Sequence, residues 1–521
     1  MNQAISDRAA IEFAVGFYDA LGAGRSIEFA YNWGCIAIRM EGIEEHFTPV
    51  LLKKEENNKV EIFVSNFQEG EKLKKFQTQW LRRIPRRSIF TTLGASVGVT
   101  ILVVLVRLLG ILPGEFFFFN QMMRVQPVIE KPDDSLLIVQ ITLDDIKYYF
   151  KKYPPKNSSS LADEILYQLL EKLLKSNPRV IGIDNYRYAP AEGNLKKLIN
   201  NEQTNDHLIF ICKFPDKDAS DKEGHSPPPD VPIEQVGLSN FLTDRDGVIR
   251  RQIIEMGTPE DPETKNQCRN KEELMDSFSF KVAQKYLAAE KKDYKIYGKE
   301  HENIVSGKTF LEPLNIDMQG GYSLKNLNGT QILLNYRFAA DAKNNRSLRN
   351  IAARTYNVKQ ILDTKEIKDF VQDKIVMIGT PVVGYDSPSK STPFSIGGAD
   401  EQMSGLFIQA QMVSQLVSAV KDERPLLKVM HISYDMLCIL VCSVIGGAIL
   451  PQLYKHPQKL LIAGGICLGG LYFICLVFFI YPIIPRTKLW IRLVPTAVSF
   501  VGSGAVRIFL ELKSQKNSKF K

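Results

Sequence analysis

Four long apolar segments limit what this 521-residue chain can fold into. They span residues 88–112, 432–450, 460–483 and 489–510, and a helix needs about 20 apolar residues to cross a bilayer core. The first segment is too long, and begins too far from the N-terminus, for a secretory signal peptide. Because three more follow close together, buried core helices are a poor alternative. The sequence therefore predicts a membrane protein with four transmembrane helices.

Basic residues beside these segments predict the orientation. The basic linker, residues 68–87, ends in two pairs of arginines, whereas residues 113–123 contain no lysine or arginine. The positive-inside rule then places the linker in the cytoplasm. Four spans return the basic tail, residues 511–521, to the same side, although the loop between the last two spans is also basic. We expect a bacterial plasma-membrane protein with both termini cytoplasmic and residues 113–430 extracytoplasmic.

The charge distribution argues against several functions. The net charge of +8 is concentrated beside the apolar segments, where lysine and arginine meet lipid headgroups. No basic stripe is interleaved with aromatic residues, so we expect membrane lipid and no nucleic acid as a partner. Arg107, a charged residue within the first segment, lies near its end and is expected to reach the membrane surface. The spans otherwise lack the central ionisable residues of a transporter.

Residues 113–430 show an α/β pattern. Residues 162–174 have helical spacing, and the runs with strand composition are residues 135–141, 179–183, 207–212, 331–335 and 374–379. Strands that alternate with helices indicate a mostly parallel sheet covered by helices. The predicted fold is therefore an extracytoplasmic α/β domain held by four transmembrane helices.

Polar residues at the ends of these strands are candidate ligand-binding residues. Asp144, Asp184 and Thr380 each follow a strand, and ligands of such sheets lie beyond the carboxyl ends of the strands. Alternatively, Asp144 caps the following helix and Asp184 stabilises a turn. An enzyme that uses Asp144, Asp145 and Asp184 for acid–base chemistry is a further alternative. Asp246-Gly247 is better explained as a hairpin turn than as a calcium loop.

Motifs for catalysis and cofactor binding are missing from the sequence. It contains no glycine-rich phosphate loop, no histidine cluster with metal-ligand spacing and no nucleophile elbow. We therefore expect no catalytic residue, no metal site and no cofactor.

Seven cysteines divide into three groups. Cys212 and Cys268 fall in the extracytoplasmic region, where two cysteines in an oxidising compartment predict a disulfide. Cys35 is cytoplasmic and is expected to stay reduced. The other four lie within predicted spans and act as small apolar side chains.

Six motifs in the central region occur in the order of a known family. They are Val139-Gln-Ile-Thr-Leu-Asp-Asp145, Gly182-Ile-Asp184, Gly237-Leu-Ser-Asn-Phe241 with Asp244-Arg-Asp-Gly-Val-Ile-Arg-Arg251, Leu334-Asn-Tyr-Arg337, Lys374-Ile-Val-Met-Ile-Gly379 and Ser391-Thr-Pro-Phe394. Together they resemble the type-two CHASE domain, an extracellular sensory domain with one span before it and three after. The resemblance implies a sensor, with Arg337 as a fourth candidate ligand-binding residue.

Residues 1–67 resemble part of a second family. Helical periodicity covers residues 9–21 and 26–38, and the string from Phe17 to Tyr31 resembles the last two helices of CHAT caspase-like peptidases. A protease of that type needs a cysteine and a histidine at strand ends. Cys35 falls within a predicted helix, so we interpret this segment as a cytoplasmic remnant or as the end of a truncated peptidase domain.

The leading hypothesis is a membrane sensor without an output enzyme. It would bind an extracytoplasmic small molecule and relay the signal to a cytoplasmic partner, and a second copy of the chain is a candidate partner as well. The alternatives are a degenerate or structural membrane protein, and a sensor whose N-terminal peptidase domain is missing from this sequence. We therefore do not expect an enzyme.

Overall fold

The computed structural model describes part of the chain. The chain divides into two units, Met1–Pro85 and Arg86–Lys521. The described residues are 6–22, 27–40, 86–108, 114–125, 130–153, 161–201, 204, 206–215, 224–257, 268, 274–297, 303–315, 322, 329–337, 352–382, 390–395, 402–481 and 487–519.

The helices follow the spacing of apolar residues along the chain. In order they are α1 (Asp7–Gly22), α2 (Ile27–Met40), α3 (Arg86–Leu108), α4 (Glu115–Arg124), α5 (Leu143–Phe150), α6 (Asp163–Leu174), α7 (Gly193–Ile199), α8 (Phe278–Ala288), α9 (Val358–Asp363), α10 (Lys368–Val371), α11 (Gly405–Lys421), α12 (Ile432–Leu453), α13 (Pro457–Ile480) and α14 (Leu493–Lys519).

The strands are short and lie in the second unit. In order they are β1 (Leu136–Gln140), β2 (Val180–Asp184), β3 (Leu208–Cys212), β4 (Val236–Leu238), β5 (Arg251–Gly257), β6 (Leu274–Asp276), β7 (Lys295–Tyr297), β8 (Asn303–Ser306), β9 (Thr309–Leu311), β10 (Thr330–Leu333), β11 (Arg354–Asn357), β12 (Ile375–Gly379), β13 (Leu426–Val429) and β14 (Thr487–Trp490).

The first unit contains a helical hairpin. Helices α1 and α2 cross closely because Gly16 and Gly34 have no side chains: a methyl group added to Gly16 would lie 2.9 Å from Cβ of Ala37. A methyl group on Gly34 would lie 2.8 Å from the ring of Phe13. The two helices agree with the predicted ones, while the resemblance to CHAT peptidases stays a prediction.

The core of the second unit is a six-stranded sheet with the order β11-β1-β12-β2-β3-β4. Each neighbouring pair is parallel. One face packs against α5, α6, α7, α9 and α10, and the other against α8 and α11. The strands are buried on both faces, which explains their continuous apolar sequences. The predicted mostly parallel sheet covered by helices is confirmed.

One predicted strand lies outside this sheet. Residues 331–335 overlap β10, which pairs antiparallel with β5 in a second sheet of order β10-β5-β6. Just before β5, Thr243 bridges Ile249, and the amide of Gly247 donates to the carbonyl of Asp244 at 2.8 Å. Gly247 has φ +79°, a conformation that favours glycine. The predicted hairpin turn at Asp246-Gly247 is therefore confirmed.

Four helices are long and apolar enough to cross a membrane. They cover Ile89–Arg107, Ile432–Leu453, Pro457–Ile480 and Leu493–Lys516. The predicted start of the fourth span at residue 489 is wrong. Residues 487–490 form β14, which pairs in parallel with β13 immediately before the second span. Backbone pairing between these strands therefore joins the entrances of the second and fourth spans.

Small residues bring three of the spans into close contact. The Ser443 hydroxyl, in α12, donates to the Ser96 carbonyl of α3 at 3.1 Å, and Ser96 donates back to the Ser443 carbonyl at 3.2 Å. The Ser503 hydroxyl of α14 donates to the same carbonyl of Ser443. Small residues and interhelical hydrogen bonds are the usual means of packing helices in lipid.

Replacing Gly446 by alanine should separate α12 from α14. A methyl group at this position would overlap the carbonyl oxygen of Phe500, so we expect a loss of about 1–3 kcal/mol in the free energy of unfolding. Unfolding by SDS in mixed micelles measures this loss. Gly465→Ala in α13 is the control, because no described atom lies within 4 Å of the added methyl. Equal effects of the two substitutions would contradict the packing.

Cys212 and Cys268 form a disulfide, with their Cα atoms 5.5 Å apart. Cys212 ends β3, and both side chains are fully buried in the core beside the sheet. This is the pair predicted from the sequence.

Replacing both Cys212 and Cys268 by serine should lower the free energy of unfolding by about 2–4 kcal/mol, because the closed loop limits the unfolded chain. The melting temperature with and without a reductant measures the effect. Reductant should lower the melting temperature of the wild-type protein and leave that of the double variant unchanged. A melting temperature of the wild-type protein that ignores reductant would contradict the pairing.

Candidate functional site

The carboxyl edge of the parallel sheet brings together two of the predicted ligand-binding residues. Asp184 ends β2 and Thr380 follows β12, the neighbouring strand. Thr380 is fully buried, and Nδ2 of Asn185 donates to its hydroxyl at 3.5 Å. Asp144 lies at the same edge, beyond β1, with an exposed side chain in the first turn of α5. Their binding role stays a prediction.

The topology predicts a crevice at this edge. The chain leaves β12 toward α11 on one face of the sheet, whereas it leaves β1 and β2 toward α5 and α7 on the other face. Such a reversal between neighbouring strands separates the following loops, and ligands of open α/β sheets bind there. The crevice between β12 and its two neighbours is therefore the candidate binding site.

The helix after β1 is capped by other residues than Asp144. Thr142 is the N-cap: its hydroxyl accepts from the amide of Asp145 at 3.2 Å, and Oδ2 of Asp145 accepts from the amide of Thr142 at 2.9 Å. This reciprocal pair is a capping box. The alternative cap role of Asp144 is therefore wrong. Asp145 also accepts from the amide of Lys359 at 3.0 Å, which gives it a structural role.

Arg337 lies away from the carboxyl edge. Its Nε donates to the Ser414 hydroxyl at 3.0 Å and its Nη1 to the carbonyl of Lys131 at 2.9 Å. Asp133 lies 3.5 Å from its Nη2. Lys131 and Asp133 precede β1, so Arg337 occupies the amino side of the sheet. The structure therefore does not bring Arg337 together with Asp184 and Thr380.

The start of α11 supplies site residues that the sequence analysis missed. A methyl group added to Gly379 would lie 2.9 Å from Cδ1 of Leu406 and 3.3 Å from Cβ of Asp184. The helix thus begins beside the ends of β12 and β2. Its N-cap is Ser404, which is 5% exposed. A serine directly before a helix is a recognisable cap signal, but neither the length of α11 nor its neighbours can be read from the sequence.

A buried charged cluster joins the domain to α4. Oδ1 of Asp244 accepts from Nη2 of Arg251 at 2.7 Å, and Oδ2 accepts from Nη1 of Arg250 at 2.8 Å. Arg250 is fully buried; its Nε donates to Asn120 of α4 at 2.9 Å, and its guanidinium lies 4.6 Å from the ring centroid of Phe116. Arg250 and Arg251 are the last two residues of the Asp244–Arg251 motif. This motif therefore holds the domain onto α4, the helix that follows the first span.

A second cluster lies where the spans meet the domain. Asp435, at the start of α12, is 2.8 Å from Nη1 of Arg107 at the end of α3. It also pairs with Arg492, just before α14. All three side chains are at most 5% exposed. Asp435 therefore holds Arg107 inside the protein at the level where the spans meet the domain, and the expectation that Arg107 reaches the membrane surface stays a prediction.

Glu115, the first residue of α4, should make the stability of the folded protein depend on pH. Oε2 accepts from the amide of Val494 at 3.1 Å, and burial raises the pKa of the carboxyl to about 7 despite the opposing effect of Arg492. The folded state therefore favours the protonated form. Stability from this group should be complete below pH about 4.5 and be lost as the pH rises through about 7, by up to about 3 kcal/mol.

Glu115→Gln should remove this dependence while keeping an acceptor for Val494. SDS unfolding of both proteins between pH about 5 and 8 measures the difference, since other titrating groups affect both equally. Parallel pH profiles would contradict the assignment.

Comparison with protein-family models matches residues 99–448 to the CHASE2 domain. No curated protein and no solved structure matches the chain. The family match includes the parallel sheet, the cluster around Asp244, and Arg107 and Asp435 of the second cluster, together with about half of the first span and most of the second, and it agrees with the six ordered motifs. Together with the four membrane helices, it makes the chain a membrane-anchored protein. The chain belongs to the CHASE2 domain family of extracellular sensory domains.

Proposed function

We propose that the protein is a receptor that binds a small extracytoplasmic molecule at the carboxyl edge of its sheet and relays this event across the membrane. Asp184 and Thr380 are the proposed binding residues within the crevice, with Asp144 at its rim. The observation that carries the proposal is the course of α11. This helix begins beside the crevice and leads, through β13, directly into the second span.

The length of α11 suits a relay. Its 17 residues extend over about 25 Å, from Gly379 at the carboxyl edge to the membrane side of the domain. Strand β13 follows within five residues, and its pairing with β14 also reaches the fourth span. A ligand that favours one position of α11 would therefore favour one arrangement of two spans, which is how binding shifts a conformational equilibrium.

Two glutamines couple α11 to the second sheet. The side chain of Gln411 accepts from the amide of Arg337 at 2.7 Å and donates to its carbonyl at 3.0 Å. One turn later, Gln415 accepts from the amide of Asn335 and donates to the carbonyl of Leu333 at 3.2 Å. The side chains of these two glutamines thus make the kind of backbone hydrogen bonds that a neighbouring strand would make with residues 333–337. Displacement of α11 would thus move the second sheet and, through Arg250, α4.

The proposed orientation places residues 113–430 outside the cytoplasm of a bacterial cell and both termini inside. The disulfide supports it, because such bonds persist in oxidising compartments. In this orientation the relay ends at the cytoplasmic ends of the spans. We propose that a separate cytoplasmic partner reads the change there, and that a second copy of the chain is a further partner.

The full chain in lipid nanodiscs provides the test. Fractions of a bacterial metabolite extract are added singly, and the melting temperature is followed, because a ligand that binds only the folded state raises it. At least one fraction should raise the melting temperature of the wild-type protein and have a smaller effect on Thr380→Val. If no fraction changes it, the sensor proposal fails and the degenerate, structural alternative is favoured.

A further inference from the structure

The N-terminus of α11 has the properties of an anion site. The first bond within the helix runs from the amide of Phe407 to the carbonyl of Ser404 at 3.1 Å, so the amide of Leu406 has no acceptor within the helix, and the helix dipole places partial positive charge there. The backbone of Lys390 pairs with that of Met403, one residue before the cap, at 2.8 and 2.9 Å, which brings a cationic residue to this end. A carboxylate or phosphate group is the usual occupant of such a position.

The Ser404 hydroxyl is an independent indication of a ligand. It is the N-cap residue, yet its side chain does not bond to a helix amide. Its Oγ is buried and has no hydrogen-bond partner in the part of the chain that the structure describes. An unsatisfied buried hydroxyl costs about 1–3 kcal/mol, so native proteins rarely keep one without reason. A bound anion would accept a hydrogen bond from it.

The acidic side chain of Asp184, the negative pole of the site, lies next to the N-terminus of α11, its positive pole. Cβ of Asp184 and Cδ1 of Leu406 both lie close to one point above Gly379, at 3.3 and 2.9 Å. The side chain of Asp184 therefore begins beside the first turn of α11. A simple anion in the crevice would be repelled by Asp184, whereas a molecule with a cationic group close to its anionic group would satisfy both poles. A carboxylate accepts several hydrogen bonds at once, so other contacts of Asp184 do not prevent this.

We propose that the crevice binds a free amino acid, with its carboxylate at the N-terminus of α11 beside Ser404 and its ammonium group at Asp184. This inference rests on the proposed function and specifies its ligand class. The short distance between the two poles suits an α-amino acid, whose opposite charges are separated by one carbon atom. Thr380, which is buried and directly follows Gly379, would contact the ligand as well.

The test uses the full chain in nanodiscs and measures dissociation constants from melting-temperature titrations. The probes are the common L-amino acids tested singly, acetate, which lacks the ammonium group, and methylamine, which lacks the carboxylate. At least one amino acid should raise the melting temperature at concentrations where acetate and methylamine have no effect. Ser404→Ala should weaken its binding about tenfold or more, as expected for a lost hydrogen bond to a charged group.

Asp184→Asn should change the preference as well as the affinity. Binding of the amino acid should weaken about tenfold or more, while binding of acetate should strengthen, because the repelling charge is gone. Ser418→Ala is the control on α11, since its hydroxyl donates to the carbonyl of Ser414 within the helix. Asp206→Asn is the charge control at the opposite, amino edge of the sheet. Ser404→Gly, tolerated at N-caps, replaces Ser404→Ala if that variant does not fold.

Three outcomes would overturn the inference, and they differ in what else they affect. Equal binding by all variants and controls places the amino acid elsewhere. A melting-temperature shift by metabolite fractions but by none of the amino acids excludes the ligand class while the sensor proposal stands. A protein that responds to neither amino acids nor metabolite fractions contradicts both proposals.

Discussion

Asp435→Asn is expected to lower the free energy of unfolding by about 3–5 kcal/mol, among the largest effects of any single substitution in this chain. Asp435 is the shared counter-ion of Arg107 and Arg492, and its side chain is 1% exposed. Without its charge, two arginines would stay buried with the same sign, and an uncompensated buried charge costs this much. SDS unfolding in mixed micelles at neutral pH measures the change.

Asp206→Asn is the matched control for this experiment. It removes the same charge from a pair with Lys285, but the Asp206 side chain is 72% exposed. Exposed pairs contribute at most about 1 kcal/mol. If the two substitutions have equal effects, the three charged residues do not hold the ends of the spans together. A further variant, Arg107→Met with Asp435→Asn, should recover part of the loss because it removes one of the stranded charges.

Asp244→Asn should also cost about 3–5 kcal/mol, at the junction between the domain and α4. Asp244 faces both Arg250 and Arg251 and accepts from the Tyr322 hydroxyl at 3.1 Å. Burial, followed by the charge of Asp244, raises the pKa of Tyr322 well above its usual value, so this hydroxyl is a donor at any working pH. Losing the carboxylate leaves two buried guanidinium groups with reduced compensation. Urea unfolding of the nanodisc-bound protein, followed by tryptophan fluorescence, measures the loss.

Asp246→Asn tests whether burial decides the size of this effect. Asp246 lies in the same turn and bonds the same Arg250 at 2.8 Å through Oδ1, but its side chain is 43% exposed. We expect a loss of about 1 kcal/mol, within the range of half-exposed pairs. A larger loss for Asp246→Asn than for Asp244→Asn would contradict the assignment of Asp244 as the centre of the cluster.

The sequence predicts those parts of the fold that depend on local patterns. Long apolar runs identify the four spans, because only a membrane accommodates so many apolar residues in a helix. Strands β1, β2, β3 and β12 were recognisable because both of their faces are buried. The disulfide is predicted because two cysteines fall in the region that is expected to lie in an oxidising compartment. The family motifs agree with this layout, although none of them indicates what the charged residues within them contact.

The contacts that connect the parts of the protein could not be predicted from the sequence. Arg250 donates a hydrogen bond to Asn120, which lies 130 residues earlier in the chain. Arg107 pairs with Asp435, although the whole sheet domain separates these two residues in the sequence. Such pairs depend on tertiary packing, which local patterns do not encode. The same reason explains the wrong start of the fourth span, since β14 exists only because β13 lies beside it. It also explains why Ser404, at the start of α11, was missed as a site residue.

The proposed relay requires that the sheet domain and the basic C-terminal tail lie on opposite sides of the membrane. Labelling of single cysteines with a membrane-impermeant maleimide tests it, using Asp206→Cys in the domain and Ser514→Cys in the tail, both exposed, in a Cys35→Ser background. We expect Asp206→Cys to react in spheroplasts and Ser514→Cys to react only after lysis. Reaction of Ser514→Cys before lysis, or protection of Asp206→Cys until lysis, would contradict it.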